Sequence, residues 1–264
     1  MVAIPGLAVS SSIWSSQGTF FSSISSSSSS WSSLHATPPF VEPLDSNYGR
    51  KDYWDEVYAE SSQNQTCFSW YSEWKDLEPL LKDLMMDSFQ SHILIPGVGN
   101  DSIVRDMYDS GYTNIVAFDY SRNGVDCAKS LLGHRNVPIY VADARNLIQF
   151  QDNTFDIILD KGTLDAIYLS GGSKVRTKST LYLGSTYLAQ AIREYSRVMA
   201  PGGVLISLSA ACVDAVQSTL HQELTMSPTG EWTCLRDGSF FITEDGYTSN
   251  NVDGNLFAYQ RKNG

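Results

Sequence analysis

From about residue 46 onward the chain alternates between short, almost wholly apolar runs and longer stretches in which apolar residues recur every three or four positions. The apolar runs are "HILIPG" (92–97), "NIVAFD" (114–119), "VPIYVAD" (137–143), "FDIILD" (155–160) and "GVLISLSA" (203–210). They predict buried strands, because a strand covered on both faces has no polar side to show. Between them, "WYSEWKDLEPLLKDLM" (70–85) puts Trp74, Leu77, Leu81 and Leu84 on one helical stripe. "YGRKDYWDEVYAE" (48–60) and "DSIVRDMYDSG" (101–111), which stops at Gly111, also read as helices. So do "SRNGVDCAKSLL" (121–132), opened by Ser121 as cap, and "TYLAQAIREYSRVM" (186–199), stopped by Pro201-Gly202-Gly203. "EWTCLR" (231–236) and "NLFAYQRK" (255–262) predict a closing antiparallel hairpin. Strands alternating with helices define an α/β fold: a mostly parallel sheet, seven strands with the hairpin, and helices on both faces.

Residues 1–36 stand apart, with 15 serines and no Lys, Arg, Asp or Glu. Such a segment cannot bury enough surface to offset its ordering entropy, which predicts a disordered tail. The alternative is an organellar targeting peptide, since those are Ser-rich and acid-poor, although no arginine precedes Arg50. "ATPPFVEPLD" (36–45) reads as an extended linker. The expected division is therefore a tail and linker over 1–45 and a folded domain over 46–264. The net charge of −11 argues against a nucleic-acid partner and fits one with a basic surface. The four cysteines and four histidines are scattered, with no metal-ligand spacing. No apolar run reaches the length of a membrane span. A monomer is expected.

Ligands of such sheets sit beyond the carboxyl ends of the strands. The first strand ends in Gly97-Val98-Gly99-Asn100-Asp101, the second in Asp119, the third in Asp143 and the fourth in Asp160-Lys161. Gly97 and Gly99 remove Cβ atoms where a ligand must approach the main chain. Asp119 stands where an acidic residue accepts hydrogen bonds from ribose hydroxyls. Asp143 suits an adenine amine, with Ala144 leaving room for the ring, and Lys161 either orients the site or pairs with a carboxylate. Each feature alone also fits a turn or a helix cap. Their coincidence on one sheet edge points to a nucleotide-type ligand. A pyrophosphate site wants a third glycine or a P-loop lysine, whereas here Asn100 and Asp101 follow Gly99. A ligand without phosphate and with positive charge, such as S-adenosyl-L-methionine, suits that turn.

"ILIPGVGND", "VAFDYS", "VADARNL", "FDIILDKGTLDAI" and "REYSRVMAPGGVLISLS" resemble the class I, seven-β-strand S-adenosylmethionine-dependent methyltransferases with a Rossmann-like sheet. More narrowly, with "DYWDEVY" and "SWYSEW" upstream and the group-specific "DKGTLDA", the chain is similar to the methyltransferase-like protein 13 group of lysine methyltransferases over roughly 47–261. The resemblance implies that Trp54, Tyr58 and Trp70 lie against the cofactor from the N-terminal side; Trp54 and Tyr58, four apart on one helix face, read either as an aromatic lid over it or as core packing. The resemblance puts Gly97 on the first turn, Asp119 and Tyr120 at ribose and adenine, Asp143 and Ala144 at the adenine, and Lys161 after the fourth strand. The chain departs from the group at Val57, Pro96 and Val98, and in residues 170–183 and 236–253 beside the expected substrate entrance.

Methyl transfer from a sulfonium needs alignment and exclusion of water more than acid–base chemistry. No dedicated base is therefore expected. Asp160, Asp165 and Tyr168 are the candidates nearest the mouth, each also readable as structural. The resemblance implies a protein substrate with a target lysine, elongation factor 1A-like, and a cytoplasmic enzyme. A small-molecule methyltransferase on the same fold and a catalytically silent binding module are the alternatives. An N6-adenine methyltransferase is disfavoured, because "DKGT" stands where such enzymes carry an Asx-Pro-Pro-aromatic motif.

Overall fold

The run "ILIP" becomes β1, Ile93–Pro96, with all four residues buried, the pattern of a central strand covered on both faces. The computed structural model describes residues 47–263, apart from 65, 86–88, 172–177 and 242–253. In chain order the elements are α1 (Lys51–Asn64), α2 (Trp74–Leu81), β1, α3 (Ile103–Asp109), β2 (Ile115–Asp119), α4 (Arg122–Leu132), β3 (Ile139–Val141) and β4 (Phe155–Lys161). They continue as α5 (Thr163–Leu169), α6 (Lys178–Val198), β5 (Met199–Ser209), α7 (Val213–Thr225), β6 (Trp232–Phe241) and β7 (Gly254–Arg261). The expected tail and linker, and the boundary at 45/46, lie outside the described residues.

The seven strands form one sheet in the order β3-β2-β1-β4-β5-β7-β6. β1 pairs in parallel with both β2 and β4, through Ile93↔Ile115 and Ile93↔Ile157. β7 runs antiparallel to both β5 and β6, which is the expected hairpin. Alternate side chains feed two cores. Ile93, Ile95, Ile115, Ile157 and Leu159 pack with Leu77, Leu81 and Met107 on one face. Leu94, Phe118 and Ile158 pack with Leu188, Ile192, Tyr195 and Leu220 on the other. The chain leaves β1 toward β2 on one side and returns as β4 on the other, so the order reverses between β1 and β4. A crevice beyond the carboxyl ends of those two strands is where such a sheet holds its ligand.

Four elements differ from expectation. The helix predicted over 70–85 is confined to Trp74–Leu81, because residues 69–73 are drawn into a turn by partners far away in sequence. Pro201-Gly202-Gly203 does not serve as a helix stop. α6 ends at Val198, and the Pro-Gly-Gly forms an irregularity inside β5, between the pairs Phe155↔Met199 and Ile157↔Val204. α5 and α7 were not anticipated. α7 carries its own signal in buried Val216, Leu220 and Leu224, spaced four apart on one stripe.

Candidate active site

At the switch point β1 runs into Gly97 (φ 60°) and Gly99 (φ 46°), a left-handed geometry that glycine adopts without strain. A Cβ at Gly97 would overlap the side chain of Thr163, and one at Gly99 the hydroxyl of Tyr58. The missing Cβ atoms therefore make room for protein side chains, which the sequence did not announce. Asp119, at the end of β2, is 2% exposed. Its two oxygens accept from the backbone N–H of Gly99 (2.9 Å) and of Ser121 (2.8 Å). Burial pushes its carboxyl up to about 6. Among the described residues it has no ion-pair partner. Ser121 caps α4 as expected, its side chain accepting from the Gly124 N–H.

Asp143, beyond β3, is gripped by its neighbour. The Arg145 guanidinium donates to both its oxygens, at 2.9 and 2.6 Å, and the Arg145 N–H donates at 2.9 Å. Burial pulls the Asp143 carboxyl up, but the bonds from Arg145 outweigh it and hold the group below the usual carboxylate range. Ala144 is buried in the second core layer. Tyr120 is partly buried, 5.8 Å from the Lys51 ammonium.

α1 lies across this edge. Trp54 and Tyr58, four residues apart, share its inner face and stack at 5.6 Å. Trp70 meets Trp54 edge-on at 5.9 Å, and the Trp54 indole donates to the Tyr48 carbonyl at 2.7 Å. The Tyr58 ring also rests on Gly124, where a Cβ would come within 2.9 Å of it, beside the Asp119 carboxyl. Polar contacts fasten the helix to the strand-end turns. The Ser121 hydroxyl donates to Asp55 (2.5 Å), Asn123 to the Asp55 carbonyl (2.9 Å) and Asn100 to the Ser61 hydroxyl (3.0 Å). Sequence reasoning missed Asp55, Ser61 and Asn123, which carry no signal until α1 is known to dock on α4.

Lys161 takes the second of its two expected roles, pairing with a carboxylate. Its ammonium donates to Asp101 (2.6 Å), the Trp70 carbonyl (2.5 Å) and the Ser69 hydroxyl (3.0 Å), which uses all three N–H groups. The pair with Asp101 is buried, and it balances the carboxylate charge behind the glycine turn within the protein. Asp160 is fully buried, accepting from the Leu164 N–H (3.3 Å) and the Tyr195 hydroxyl (3.1 Å). Burial raises its carboxyl to about 7. Asp165 is also buried, and accepts from the Tyr71 hydroxyl (2.5 Å), the Ser209 hydroxyl (2.6 Å) and the N–H groups of Ala210 (3.1 Å) and Cys212 (3.0 Å). Tyr168 is partly buried on α5 against the second core layer. The edge thus gathers Gly97, Gly99, Asp119 and the ring of Tyr58, with Trp54 and Trp70 above, and commits Lys161, Asp160 and Asp165 to the protein's own bonds.

A methyltransferase-domain family model matches residues 94–207. EEF1A lysine methyltransferase 4 of Bos taurus is 31% identical over 183 residues, covering 67% of this chain and 67% of that protein. The Mus musculus protein of that name is 28% identical over 178 residues, covering 66% of each. The Mus musculus eEF1A lysine and N-terminal methyltransferase is 28% identical over 165 residues, 62% of this chain and 22% of that longer protein. Among solved structures, the [4+2]-cyclase SpnF aligns with a TM-score of 0.53 at 15% identity, over 84% of this chain and 99% of that one. A protein solved for the conversion of a disulfide bond into a thioacetal group during echinomycin biosynthesis aligns with a TM-score of 0.54 at 17% identity, over 80% and 92%. These two likenesses speak for the fold alone, which serves more than one reaction. The sheet order, the glycine turn and the acidic strand ends, together with the domain match, define the Rossmann-like methyltransferase class. Within it, the chain belongs to the family of EEF1A lysine methyltransferase 4.

Proposed function

We propose that this protein is an S-adenosyl-L-methionine-dependent methyltransferase acting on a lysine side chain of a protein substrate. The observation that carries the reading is Asp119: a buried carboxylate between the glycine turn and the α4 cap, with one backbone N–H on each oxygen and no ion-pair partner among the described residues. A carboxylate has about four acceptor sites, so two remain for a vicinal diol. The cofactor fits this donor set. Asp119 and Tyr120 would hold the ribose side, Asp143 and Ala144 the adenine, the Gly97–Gly99 turn the amino-acid end, and Trp54, Tyr58 and Trp70 would face the sulfonium, a cation that suits aromatic rings. Lys161, its three donors taken up within the protein, would stand behind the turn rather than on the cofactor.

When bound, the cofactor supplies an electrophilic methyl group. The chain's part is to align the acceptor and keep water out. A lysine amine must shed its proton first, and a closed aromatic site favours the neutral form by desolvation. Asp160 and Asp165 are left out of this chemistry, because their carboxylates already serve buried donors. The names of the relatives point to an elongation factor 1A-like target. The net charge of −11 suits a partner with a basic surface. A cytoplasmic place of action is part of the same proposal. Among the described residues no helix is long and apolar enough to cross a membrane.

Incubating the protein with labelled S-adenosylmethionine and a cell lysate, beside purified elongation factor 1A, tests the reading. A labelled protein band whose mass spectrum carries methyl-lysine is the expected result. Label confined to small metabolites would establish the small-molecule alternative, and no transfer a silent binding module. Asp119→Ala is expected to weaken cofactor binding by about 1.5–3 kcal/mol, the worth of hydrogen bonds to a charged acceptor. Unchanged calorimetric affinity in a variant that still melts cooperatively removes Asp119 from the site.

A further inference from the structure

Tyr71 holds φ at 66°, and the Ser72 N–H donates to the Trp70 carbonyl at 2.7 Å. A three-residue turn with positive φ at a bulky central residue is rare and strained, and persists only where its surroundings over-determine it. The surroundings here are two side chains from the segment that closes β4 and opens α5. Lys161 donates to the Trp70 carbonyl, the acceptor of the turn itself, and to the Ser69 hydroxyl. Asp165 accepts from the Tyr71 hydroxyl at 2.5 Å. Gly162 lies under the Tyr71 ring, where a Cβ would come within 3.1 Å. The far ends are anchored in turn, Lys161 on Asp101 behind the glycine turn and Asp165 on Ser209 and the N–H of Cys212 after β5. Between the two clamps sits Trp70, its ring edge-on to Tyr48 at 5.1 Å and to Trp54 at 5.9 Å.

We infer that Lys161 and Asp165 are positioning residues, which hold the strained Ser69–Ser72 turn so that Trp70 completes the aromatic roof over the β1/β4 switch point. The inference rests on the methyltransferase reading and gives "DKGTLD" a task within it. Stability alone is a poor account of the arrangement. A buried ion pair is weak evidence for stabilisation, and a strained turn works against it.

The test is a double-mutant cycle on the full chain, with calorimetric binding of S-adenosylhomocysteine as readout and thermal melts alongside. Tyr71→Phe keeps the ring and removes only the bond to Asp165. Lys161→Met removes the other clamp. Each is expected to weaken binding about tenfold, and in a Trp70→Ala background neither is expected to weaken it further, since residues acting through one shared group are not additive. Losses that multiply in the Trp70→Ala background, or a folded Tyr71→Phe protein that binds as wild type does, would overturn the inference. If Lys161→Met does not fold, the Tyr71→Phe cycle decides by itself. A wild-type chain that fails to bind S-adenosylhomocysteine would sink the methyltransferase reading and this inference with it. Wild-type binding with multiplying losses sinks only the inference.

Discussion

Trp54→Ala is expected to lower turnover by roughly 100-fold, the scale at which a misplacement of about 1 Å registers in rate, while lowering global stability far less than a core truncation does. Trp54 is buried, with 8% of its surface exposed. It belongs, however, to a small separate cluster with Tyr58 and Cys127, apart from the two layers that clamp the sheet. Satellite clusters of this kind govern local docking more than global unfolding. Removing the indole also removes its bond to the Tyr48 carbonyl and its stack on Tyr58, so α1 loosens over the strand ends. If Trp54 were an ordinary core residue, truncation would cost about 3–5 kcal/mol of stability, and activity would fall only with the folded fraction. Thermal melts with and without S-adenosylmethionine, beside turnover at saturating cofactor, separate the two. A variant that melts many degrees lower, gains the full stabilisation from cofactor and turns over normally when folded would leave Trp54 as packing.

The strands and the edge that carries the site were legible because their signals are local. "ILIP", "IVAFD" and "FDIILD" are too apolar and too short to be anything but buried strands, and an acidic residue at a strand end is visible in the string itself. Ser121 was legible as a cap, and Trp54 and Tyr58 as one helix face, for the same reason. What was not legible depends on contacts across long stretches of chain. Lys161 finds Asp101 sixty positions away, and Tyr71 finds Asp165 ninety-four away. No window of sequence shows that the stretch before Trp74 will be bent out of its helix to meet them. The glycines illustrate a middle case. Their spacing correctly announced that something approaches the β1 turn closely, but not that Thr163 and Tyr58 do so from within the protein. α7 was missed although Val216, Leu220 and Leu224 repeat at helical spacing.

Asp160→Asn is expected to stabilise the protein at neutral and alkaline pH, by up to about 4 kcal/mol, and to do little at pH 4. Asp160 is fully buried, and burial raises its carboxyl to about 7. An unfolded aspartate titrates near 3.9. Because the folded value lies above the unfolded one, the folded state binds the extra proton, and stability falls as pH rises between the two values. Well below pH 4 the group is neutral in both states and carries no penalty. Above about 7 the whole difference, roughly three units at 1.36 kcal/mol each, counts against the fold. Asparagine keeps an oxygen for the Leu164 N–H and turns its amide toward the Tyr195 hydroxyl, which can accept as well as donate. Asp119 is also raised by burial, but it is present in wild type and variant and cancels in the difference, whereas the charge of Asp165 is itself one of the causes that raise Asp160 and belongs to the same effect. Urea unfolding of both proteins at pH 4, 6 and 8 reads the effect directly, and the gap between their midpoints should open across that range. A gap that is as wide at pH 4 as at pH 8 would assign the gain to packing. A variant less stable than wild type at pH 8 would mean that Tyr195 and the Leu164 N–H hold Asp160 ionised, the opposite of what its burial implies.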